Sequence, residues 1–307
     1  MKVALIGGTG FVGSYIVDEL LQAGHIPRIL VRPGHGSRVN HDSCETVTGD
    51  VTDQSSLSQT INGCDALVYL IGILREFPSR GITFEALQYQ GFADSLKLAE
   101  QAGIQRVILM SANGVGNGSI PYQSTKFRAE QLLKQSNVRG TVFQPSVIFG
   151  DPRGRMEFCT QLKRDLVDPP LPASVFFPGI NLLKAGQQMM SPVHVSDVAA
   201  AFVNALDNPE TYGKSWVLAG PDTLSWADII RTIARASGKP GKWLMPAPAW
   251  GVSAVARLFE RFPWFPLTSD QVTMLMQGNA GSSDEIFRLL DISPTSFNEK
   301  ALEYLKR

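Results

Sequence analysis

The sequence lacks an excess of charge of either sign, since 28 basic residues balance 28 acidic ones over 307 residues. A neutral chain has no general attraction to nucleic acid or to an anionic membrane, so any recognition of charge must be local. Cysteines are few, and Cys44, Cys64 and Cys159 are odd in number, far apart and without a CxxC pair. This pattern predicts free thiols in a reducing compartment. The four histidines show no ligand spacing, so we expect no metal site.

Long hydrophobic runs are absent as well. No stretch approaches the roughly 18 uncharged apolar residues that a membrane-spanning helix needs. The apolar run after Met1 and Lys2 is too short for a secretory signal and has no cleavage site, and we interpret it as a strand. We therefore expect a soluble, cytoplasmic protein, or one that reaches a membrane face by surface contact. The hydrophobic content of 44% can fill a substantial core.

The first half of the chain alternates short aliphatic runs with amphipathic stretches. This alternation is typical of a parallel sheet covered by helices on both faces. The predicted strands are Val3–Ile6, Ile29–Val31, Thr46–Thr48, Ala66–Ile71, Val107–Met110 and Thr141–Ile148. The predicted helices are Val12–Ala23, Ser55–Ile61, Phe84–Ala102 and Lys126–Gln135. The sequence thus predicts an α/β fold, a Rossmann-type doubly wound parallel sheet that binds ligands at the carboxyl ends of its strands.

The pattern changes after Gly150, where turn residues introduce a stretch rich in proline and glycine. We expect residues 1–150 to form a dinucleotide-binding domain and residues 151–307 a smaller C-terminal α+β substrate domain. The segment 190–207 is expected to pack back onto the first domain.

Local signals predict further elements in this second half. Ser191–Val195 has the composition of a strand, and Ser196 is a plausible N-cap for an Ala-rich helix to about Leu206. Ser225 to Asp228 has the form of a capping box, which predicts a helix over Trp226–Ser237.

A glycine-rich turn directly follows the first predicted strand. Gly7, Gly10 and Gly13 form a GxxGxxG pattern that opens the first predicted helix. Glycine at these positions permits a tight turn, a close approach of the backbone to a pyrophosphate and close packing of helix on strand. The N-terminus of the helix offers its N–H groups and its dipole to the phosphates. This context of strand, turn and helix predicts a dinucleotide site.

The residues after the second strand bear on the choice of dinucleotide. NAD-specific sites usually have a carboxylate there for the ribose 2′-hydroxyl, whereas this chain has Arg32, with Arg38 further on. An arginine suits a 2′-phosphate, and no acid is present to repel it. We expect NADP(H), with NAD(H) as the alternative, and a solvated surface role is the other interpretation of Arg32. Asp50 and Val51 are placed to meet the adenine.

A second constellation is suited to proton transfer. Tyr122 and Lys126 form a YxxxK sequence, and their spacing puts phenol and ammonium on one face of a helix. We expect the ammonium to lower the pKa of the phenol and so favour proton transfer to a carbonyl oxygen. Ser111 ends the fifth strand, where its hydroxyl could hold the same oxygen. His194 has no accompanying acid and is interpreted as structural rather than as an acid or base.

Taken together, these residues resemble a known superfamily, the extended and atypical short-chain dehydrogenases/reductases. The motifs that carry the resemblance are Gly7-xx-Gly10-xx-Gly13, Gly49-Asp50, Leu70-Ile71-Gly72, Ser111, Tyr122-xxx-Lys126, Pro145 and Val193–Ala199. Ser111-Ala112-Asn113, Leu267–Val272 and Pro294–Phe297 are similar to the group that contains the nucleotide-binding accessory subunit of respiratory complex I.

The resemblance implies roles for particular residues. Gln90 stands where extended members usually have an asparagine, which puts their water relay in doubt, and the Asp-Glu pair typical of sugar-nucleotide dehydratases is replaced by Ala112-Asn113. Pro145 is implied to lie beside the nicotinamide. The implied cofactor-binding residues are Gly7, Thr9, Gly10, Phe11, Val12, Gly13, Arg32, Arg38, Asp50, Val51, Ile71, Gly72, Lys126 and Pro145.

Three functions compete on these grounds. The first is an NADP(H)-dependent oxidoreductase acting on a carbonyl or hydroxyl of an apolar small molecule, which Ser111, Tyr122 and Lys126 favour. The second is a non-catalytic NADPH-binding accessory or assembly module of a membrane respiratory complex, which the subgroup resemblance favours. A sugar-nucleotide epimerase is the third, and Arg32 argues against its tightly held NAD.

The stretch from Trp243 to Leu267 concentrates apolar and aromatic residues around four prolines. One interpretation is core packing of an amphipathic helix, Ala249–Phe259. The other is a partly exposed surface that admits an isoprenoid- or quinone-like substrate or rests on a membrane or membrane-bound partner. Arg257 and Arg261 would then lie on one flank of the helix and could meet anionic head groups.

Overall fold

The computed structural model describes residues 1–34, 43–116, 120–260, 262 and 267–306. The chain divides into two compact units, each described here by itself. Unit 1 comprises Met1–Pro145, Val195–Leu218 and Asp284–Ser293. Unit 2 comprises Ser146–His194, Ala219–Ser283 and Pro294–Arg307. The first part of unit 1 ends at Pro145, near the boundary expected at residue 150, and Val195–Leu218 overlaps the segment 190–207 that was expected to return. Asp284–Ser293 is a further segment of unit 1, which the sequence did not indicate.

Unit 1 is built on a seven-stranded parallel sheet, which confirms the predicted α/β fold. The strands are β1 (Lys2–Ile6), β2 (Ile26–Val31), β3 (Glu45–Thr48), β4 (Ala66–Tyr69), β5 (Arg106–Met110), β6 (Arg139–Pro145) and β11 (Lys214–Leu218). Their order in the sheet is β11-β6-β5-β4-β1-β2-β3, and every neighbouring pair is parallel. The apolar strands β1 and β4 are almost entirely buried, as expected where helices cover both faces of a parallel sheet.

Helices cover this sheet, and the residues at their N-termini are of the types that favour the start of a helix. Asp53 caps α2 by accepting hydrogen bonds from Ser55 N and Ser56 N. Pro121 lies in the first turn of α4, where its missing N–H costs nothing. The helices are α1 (Phe11–Gln22), α2 (Gln54–Ile61), α3 (Gly91–Gln101), α4 (Pro121–Gln135), α6 (Val195–Asn204) and α10 (Asp284–Leu289).

The predicted helix Phe84–Ala102 is divided into two parts. Glu85–Gln90 forms a π-helix, and α3 begins only at Gly91. The buried phenol of Tyr69 donates to the carbonyl oxygen of Leu87, which gives a partner to a backbone group of the π-helix. A Cβ at Gly91 would lie 2.6 Å from Tyr69 Oη, so only glycine lets the helix approach the sheet this closely.

Two further predictions need correction. The predicted strand Thr141–Ile148 ends at Pro145, and a separate short strand β7 (Ile148–Phe149) pairs with β10 (Val193–His194) in unit 2. Helix α6 begins at Val195 directly after β10, so Ser196 lies inside its first turn rather than at the N-cap.

Unit 2 contains three two-stranded sheets and four α-helices among the described residues. Ser225 caps α7 as expected, because its side chain accepts a hydrogen bond from Asp228 N. The core includes Phe149, Cys159, Trp226, Ile230 and Phe297. The remaining strands are β8 (Ala173–Phe177), β9 (Met189–Met190), β12 (Leu224–Ser225) and β13 (Leu244–Pro248), and the helices are α5 (Phe158–Leu162), α7 (Trp226–Ala236), α8 (Ala249–Phe259) and α9 (Ser269–Gln277).

Within the described residues, no helix is long and apolar enough to cross a membrane. Cys44, Cys64 and Cys159 are all free thiols.

Candidate functional site

The glycine turn lies between the end of β1 and the start of α1. Gly7 adopts a φ of +98°, a left-handed conformation that favours glycine, and its carbonyl oxygen accepts a hydrogen bond from Gly10 N at 3.1 Å. A Cβ at Gly13 would lie 2.7 Å from Gly8 Cα, so glycine is required for α1 to pack on the turn. Gly10 is the N-cap of α1 and is exposed, and as a glycine it has no side chain to cap the helix. The turn is therefore open to a phosphate.

The other residues predicted in this turn lie beside it in different environments. Thr9 is partly buried, and Phe11, the first residue of α1, packs edge-on against Tyr15. Val12 is buried and faces the core. Its side chain is therefore unavailable to a ligand, and only its backbone N–H could contribute.

The carboxyl end of β2 carries one predicted arginine. Arg32 directly follows Val31 and is exposed. Arg38 lies outside the described residues. The Arg32 guanidinium therefore stands at the sheet edge where dinucleotide-binding folds recognise the adenosine ribose.

The carboxyl end of β3 is held by local hydrogen bonds. Asp50 Oδ1 accepts from Thr52 N at 3.0 Å and from Thr52 Oγ1 at 2.8 Å. Ser56 Oγ donates to the carbonyl oxygen of Asp50, and a Cβ at Gly49 would collide with the Ser56 side chain. Val51 is buried in the core of unit 1. This loop is rigidly placed, and its Asp50 carboxylate is already engaged in a turn.

The segment after β4 lies against the glycine turn. A Cβ built on Gly7 would stand 3.3 Å from Ile71 N, so the two backbones are close together. Gly72 is exposed, and a Cβ there would lie 3.5 Å from Lys126 Nζ. The absence of a side chain at Gly72 therefore leaves space beside the Lys126 ammonium.

Ser111 and Lys126 meet at the carboxyl end of β5. Ser111 N donates to the carbonyl oxygen of Phe143 at 2.7 Å, which continues the pairing of β5 with β6. Lys126 Nζ donates to Met110 O at 2.7 Å and to Ile71 O at 3.1 Å, and thus joins the ends of β4 and β5. Ser111 Oγ is buried and has no hydrogen-bond partner in the described part of the chain.

The charge of Lys126 is unusual because the side chain is almost completely buried. Loss of hydration lowers its pKa to about 8, and the carboxylate of Glu130 opposes this shift. Glu130 lies one turn later on α4, is itself buried, and accepts a hydrogen bond from Gln144 Nε2 at 2.8 Å. The ammonium is therefore supported by one nearby carboxylate and by two backbone carbonyls.

The expected effect of Lys126 on Tyr122 is not found, and this prediction was wrong. Burial raises the pKa of Tyr122 to about 12 instead of lowering it. The phenol ring packs edge-on against Phe84 with centroids 5.8 Å apart, while the Lys126 ammonium is directed to the carbonyls of Ile71 and Met110. Shared helical spacing alone does not bring the charge onto the phenol.

Pro145 ends β6 and is buried. Its carbonyl oxygen accepts a hydrogen bond from Asn113 N at 2.9 Å. Pro145 and Ser111 are thus on adjacent strand ends, at the same edge of the sheet as the glycine turn. His194 lies in unit 2, where its ring packs against Phe149 with centroids 5.1 Å apart.

Sequence reasoning missed Gln88, a buried polar residue of the π-helix. Gln88 Nε2 donates to Ile73 O at 2.8 Å, and its Oε1 accepts from Thr125 Oγ1 at 3.0 Å. Gln90, which occupies the position of the family's asparagine, is exposed and donates to Asp94. The sequence offered one signal for this residue. Gln88 lies four residues after Phe84 and four before Phe92, so helical spacing predicts a polar side chain on the buried face.

A glycine turn between the first strand and first helix of a parallel sheet defines a Rossmann-type dinucleotide-binding protein. The family described as NAD(P)H-binding matches residues 7–167. The chain therefore belongs to the NAD(P)H-binding family, within the extended short-chain dehydrogenase/reductase superfamily that its motifs resemble. It binds a nicotinamide dinucleotide.

Individual proteins are similar to the chain over most of its length. It is 28% identical to NADH dehydrogenase (ubiquinone) 1 alpha subcomplex subunit 9, a mitochondrial protein of Arabidopsis thaliana, over 98% of this chain and 76% of that protein. It is 26% identical to the ceramide reductase of Caulobacter vibrioides, over 87% of this chain and 79% of that enzyme. The UDP-glucose 4-epimerase of Thermus thermophilus, solved with NAD, shares the fold with a TM-score of 0.72 at 16% identity, covering 100% of this chain and 98% of that one.

Proposed function

We propose that the protein is an NADP(H)-dependent oxidoreductase that acts on a carbonyl or hydroxyl group of an apolar small molecule, with Ser111, Tyr122 and Lys126 as its catalytic set. The observation that carries the proposal is the hydroxyl of Ser111. A buried hydroxyl without a partner costs free energy unless a ligand supplies one. The Lys126 ammonium donates a hydrogen bond to the carbonyl oxygen of Met110, the residue that precedes Ser111.

The residues around the glycine turn fit a dinucleotide. Gly7 permits the left-handed conformation of the turn, and Gly13 lets α1 pack closely on it. The start of α1, whose N-cap is Gly10, can therefore offer its N–H donors to a pyrophosphate. The proposed contacts add Thr9, Phe11, Val12, Asp50, Val51, Ile71, Gly72 and Pro145. Arg32 supports NADP(H) over NAD(H), because a guanidinium matches a 2′-phosphate and no carboxylate follows β2 directly.

When bound, the nicotinamide supplies or accepts a hydride. Ser111 Oγ would donate a hydrogen bond to the substrate oxygen, and the Tyr122 phenol would transfer a proton to or from it. A lysine ammonium has three N–H groups, and two of them are directed to Ile71 O and Met110 O. The third is available to hold a ribose hydroxyl.

Replacement of Tyr122 by Phe separates catalysis from binding. A panel of lipophilic ketones and alcohols, assayed by NADPH absorbance, is expected to yield a substrate whose turnover Tyr122→Phe reduces by at least about a thousandfold, within the range for a lost general acid. Nucleotide affinity should change little, because the phenol acts on the substrate. Lys126→Ala should weaken both turnover and binding. Full activity of Tyr122→Phe on that substrate would refute the assignment.

The name of the ceramide reductase relative supports an apolar substrate, since ceramide is a lipid. Long-chain carbonyl compounds are therefore the first members of the panel to test. A substrate range confined to nucleotide sugars would contradict this part of the proposal.

A second function has its own support. In a non-catalytic accessory or assembly module, bound NADPH would stabilise the fold of a subunit of a membrane respiratory complex. The high pKa of Tyr122 and the engagement of Lys126 by backbone carbonyls favour this function, as does the complex I subunit among the relatives. Two results together would favour the accessory module over the oxidoreductase. The panel would show no turnover, and the protein would co-migrate with a large membrane complex on native gels.

A further inference from the structure

Unit 2 exposes large apolar side chains in the loop after β8. Ile180 is 95% exposed and Leu183 is 87% exposed, and Leu182 lies exposed between them. The loop is ordered by a short 3₁₀ helix, Leu182–Lys184, whose N-cap Asn181 accepts a hydrogen bond from Leu183 N. The backbone conformation of the loop therefore keeps these side chains exposed to solvent.

Helix α8 exposes large apolar side chains to solvent, whereas a surface helix usually buries them. Its inward face carries the small buried residues Ala249 and Ala256 and the partly buried Val252. Its outward face carries Trp250, which is 66% exposed, and Leu258, which is 67% exposed. A helix stabilised by core packing buries its large apolar residues, so this exposed face requires a different partner.

The loop and the helix emerge from the same edge of one sheet. Strands β8 and β13 pair in parallel, and their last residues, Phe177 and Pro248, are opposite each other. The loop 178–184 follows the first strand, and α8 follows the second. Parallel pairing therefore brings the two exposed apolar segments to one side of unit 2.

The charges on these two segments are mainly positive. Lys184 ends the 3₁₀ helix, and Arg257 lies exposed on α8. The one acidic residue in 178–184 and 249–260 is Glu260, whose carboxylate accepts hydrogen bonds from Ser269 N and Ser269 Oγ. The two segments therefore carry two cations against one carboxylate, a net positive charge, although the whole chain is neutral.

We propose that this surface docks on an anionic phospholipid bilayer. We call it the apolar edge, and it consists of Ile180, Leu182, Leu183, Trp250 and Leu258 with the flanking cations Lys184 and Arg257. Exposed aliphatic side chains and a tryptophan enter the interfacial region of a bilayer, while the cations bind lipid phosphates. The net positive charge of these segments complements anionic lipid phosphates, and this complementarity favours the bilayer over a second copy of the same surface. The proposal is independent of the proposed catalytic activity.

Flotation of the full chain with vesicles tests the proposal. Wild-type protein should float with vesicles of phosphatidylglycerol and phosphatidylcholine, and more weakly with phosphatidylcholine alone. Trp250→Ser and Leu183→Ser should each reduce partitioning about tenfold, the effect expected from withdrawal of one large apolar side chain. Lys184→Glu should remove the preference for the anionic vesicles.

Trp243 provides the matched control. It is 79% exposed and belongs to the same unit, but it precedes β13 and so lies at the opposite end of that strand from α8. Trp243→Ser should float like the wild type. Equal losses in Trp243→Ser and Trp250→Ser would overturn the proposed location, and failure of the wild type to float would overturn the proposal.

A second measurement needs no disruptive variant. Lipids carrying nitroxide groups should quench tryptophan fluorescence in the wild type and in Trp243→Phe, and the quenching should be largely lost in Trp250→Phe. Light scattering completes the test. A wild-type dimer that becomes monomeric in Trp250→Ser, with no vesicle binding by either, would assign the apolar edge to self-association and contradict the bilayer.

Discussion

The buried ammonium of Lys126 should make the stability of the protein depend on pH in a defined way. Its pKa falls from 10.5 in an unfolded chain to about 8 in the folded protein, chiefly because burial removes hydration. Between these two values the unfolded state binds more protons than the native state. Stability contributed by this group therefore rises with pH through this range. The substitution Lys126→Met removes the effect while keeping an apolar side chain of similar length.

The magnitude follows from the two pKa values. The difference between 10.5 and about 8 corresponds to about 3 kcal/mol of destabilisation at pH values well below 8, where the lysine is charged in both states. At pH 10 most of this penalty is gone, because the native lysine is neutral. The free energy of unfolding of the wild type, relative to Lys126→Met, should thus increase by about 2 to 3 kcal/mol between pH 7 and pH 10.

Urea unfolding of the two proteins without nucleotide, followed by circular dichroism across this pH range, measures the difference. Other titrating groups are common to both proteins and cancel in the comparison. Glu130→Gln offers a second check, because loss of the carboxylate should lower the pKa of Lys126 and move the rise to lower pH. A difference between wild type and Lys126→Met that does not change with pH would refute the description of Lys126 as a buried, partly destabilised cation.

Two further predictions concern the framework of unit 1. Gly13→Ala should abolish nucleotide binding, because its Cβ would stand 2.7 Å from Gly8 Cα, whereas Gly116→Ala, where nothing lies within 4 Å, should bind normally in the same fluorescence titration. Arg106→Met should lower the free energy of unfolding by about 3 kcal/mol, since the buried guanidinium donates to the carbonyls of Ala205, Leu206 and Arg139. Nucleotide affinity, measured under conditions where Arg106→Met is folded, should not change, because Arg106 begins β5 at the edge opposite Ser111.

The parts of the fold that could be predicted from the sequence are those encoded locally. The run Val3–Ile6 followed by Gly7, Gly10 and Gly13 contains a buried strand, a turn and a helix start within a few residues. Helix α8 was predicted with the bounds Ala249–Phe259 that the structure shows. Such elements depend on periodicity and on glycine conformations that neighbours in the sequence determine.

The parts that escaped prediction depend on distant contacts. The π-helix at 85–90 accepts a hydrogen bond from the hydroxyl of Tyr69, which lies on strand β4. Strand β11 is defined by its pairing with β6. The same reason explains the error about Tyr122. Helical spacing correctly puts Tyr122 and Lys126 on one helix, but carbonyls at the ends of two other strands determine where the ammonium is directed.

The measurement that tests the account most directly is the affinity of the purified protein for NADPH and NADH. The account predicts that NADPH binds about ten to 150 times more tightly, because a charge-assisted contact from Arg32 to the 2′-phosphate contributes about 1.5–3 kcal/mol. Arg32→Asp should abolish that preference and leave NADH binding intact. Equal affinities of the wild-type protein for the two nucleotides, or no binding of either, would contradict the account.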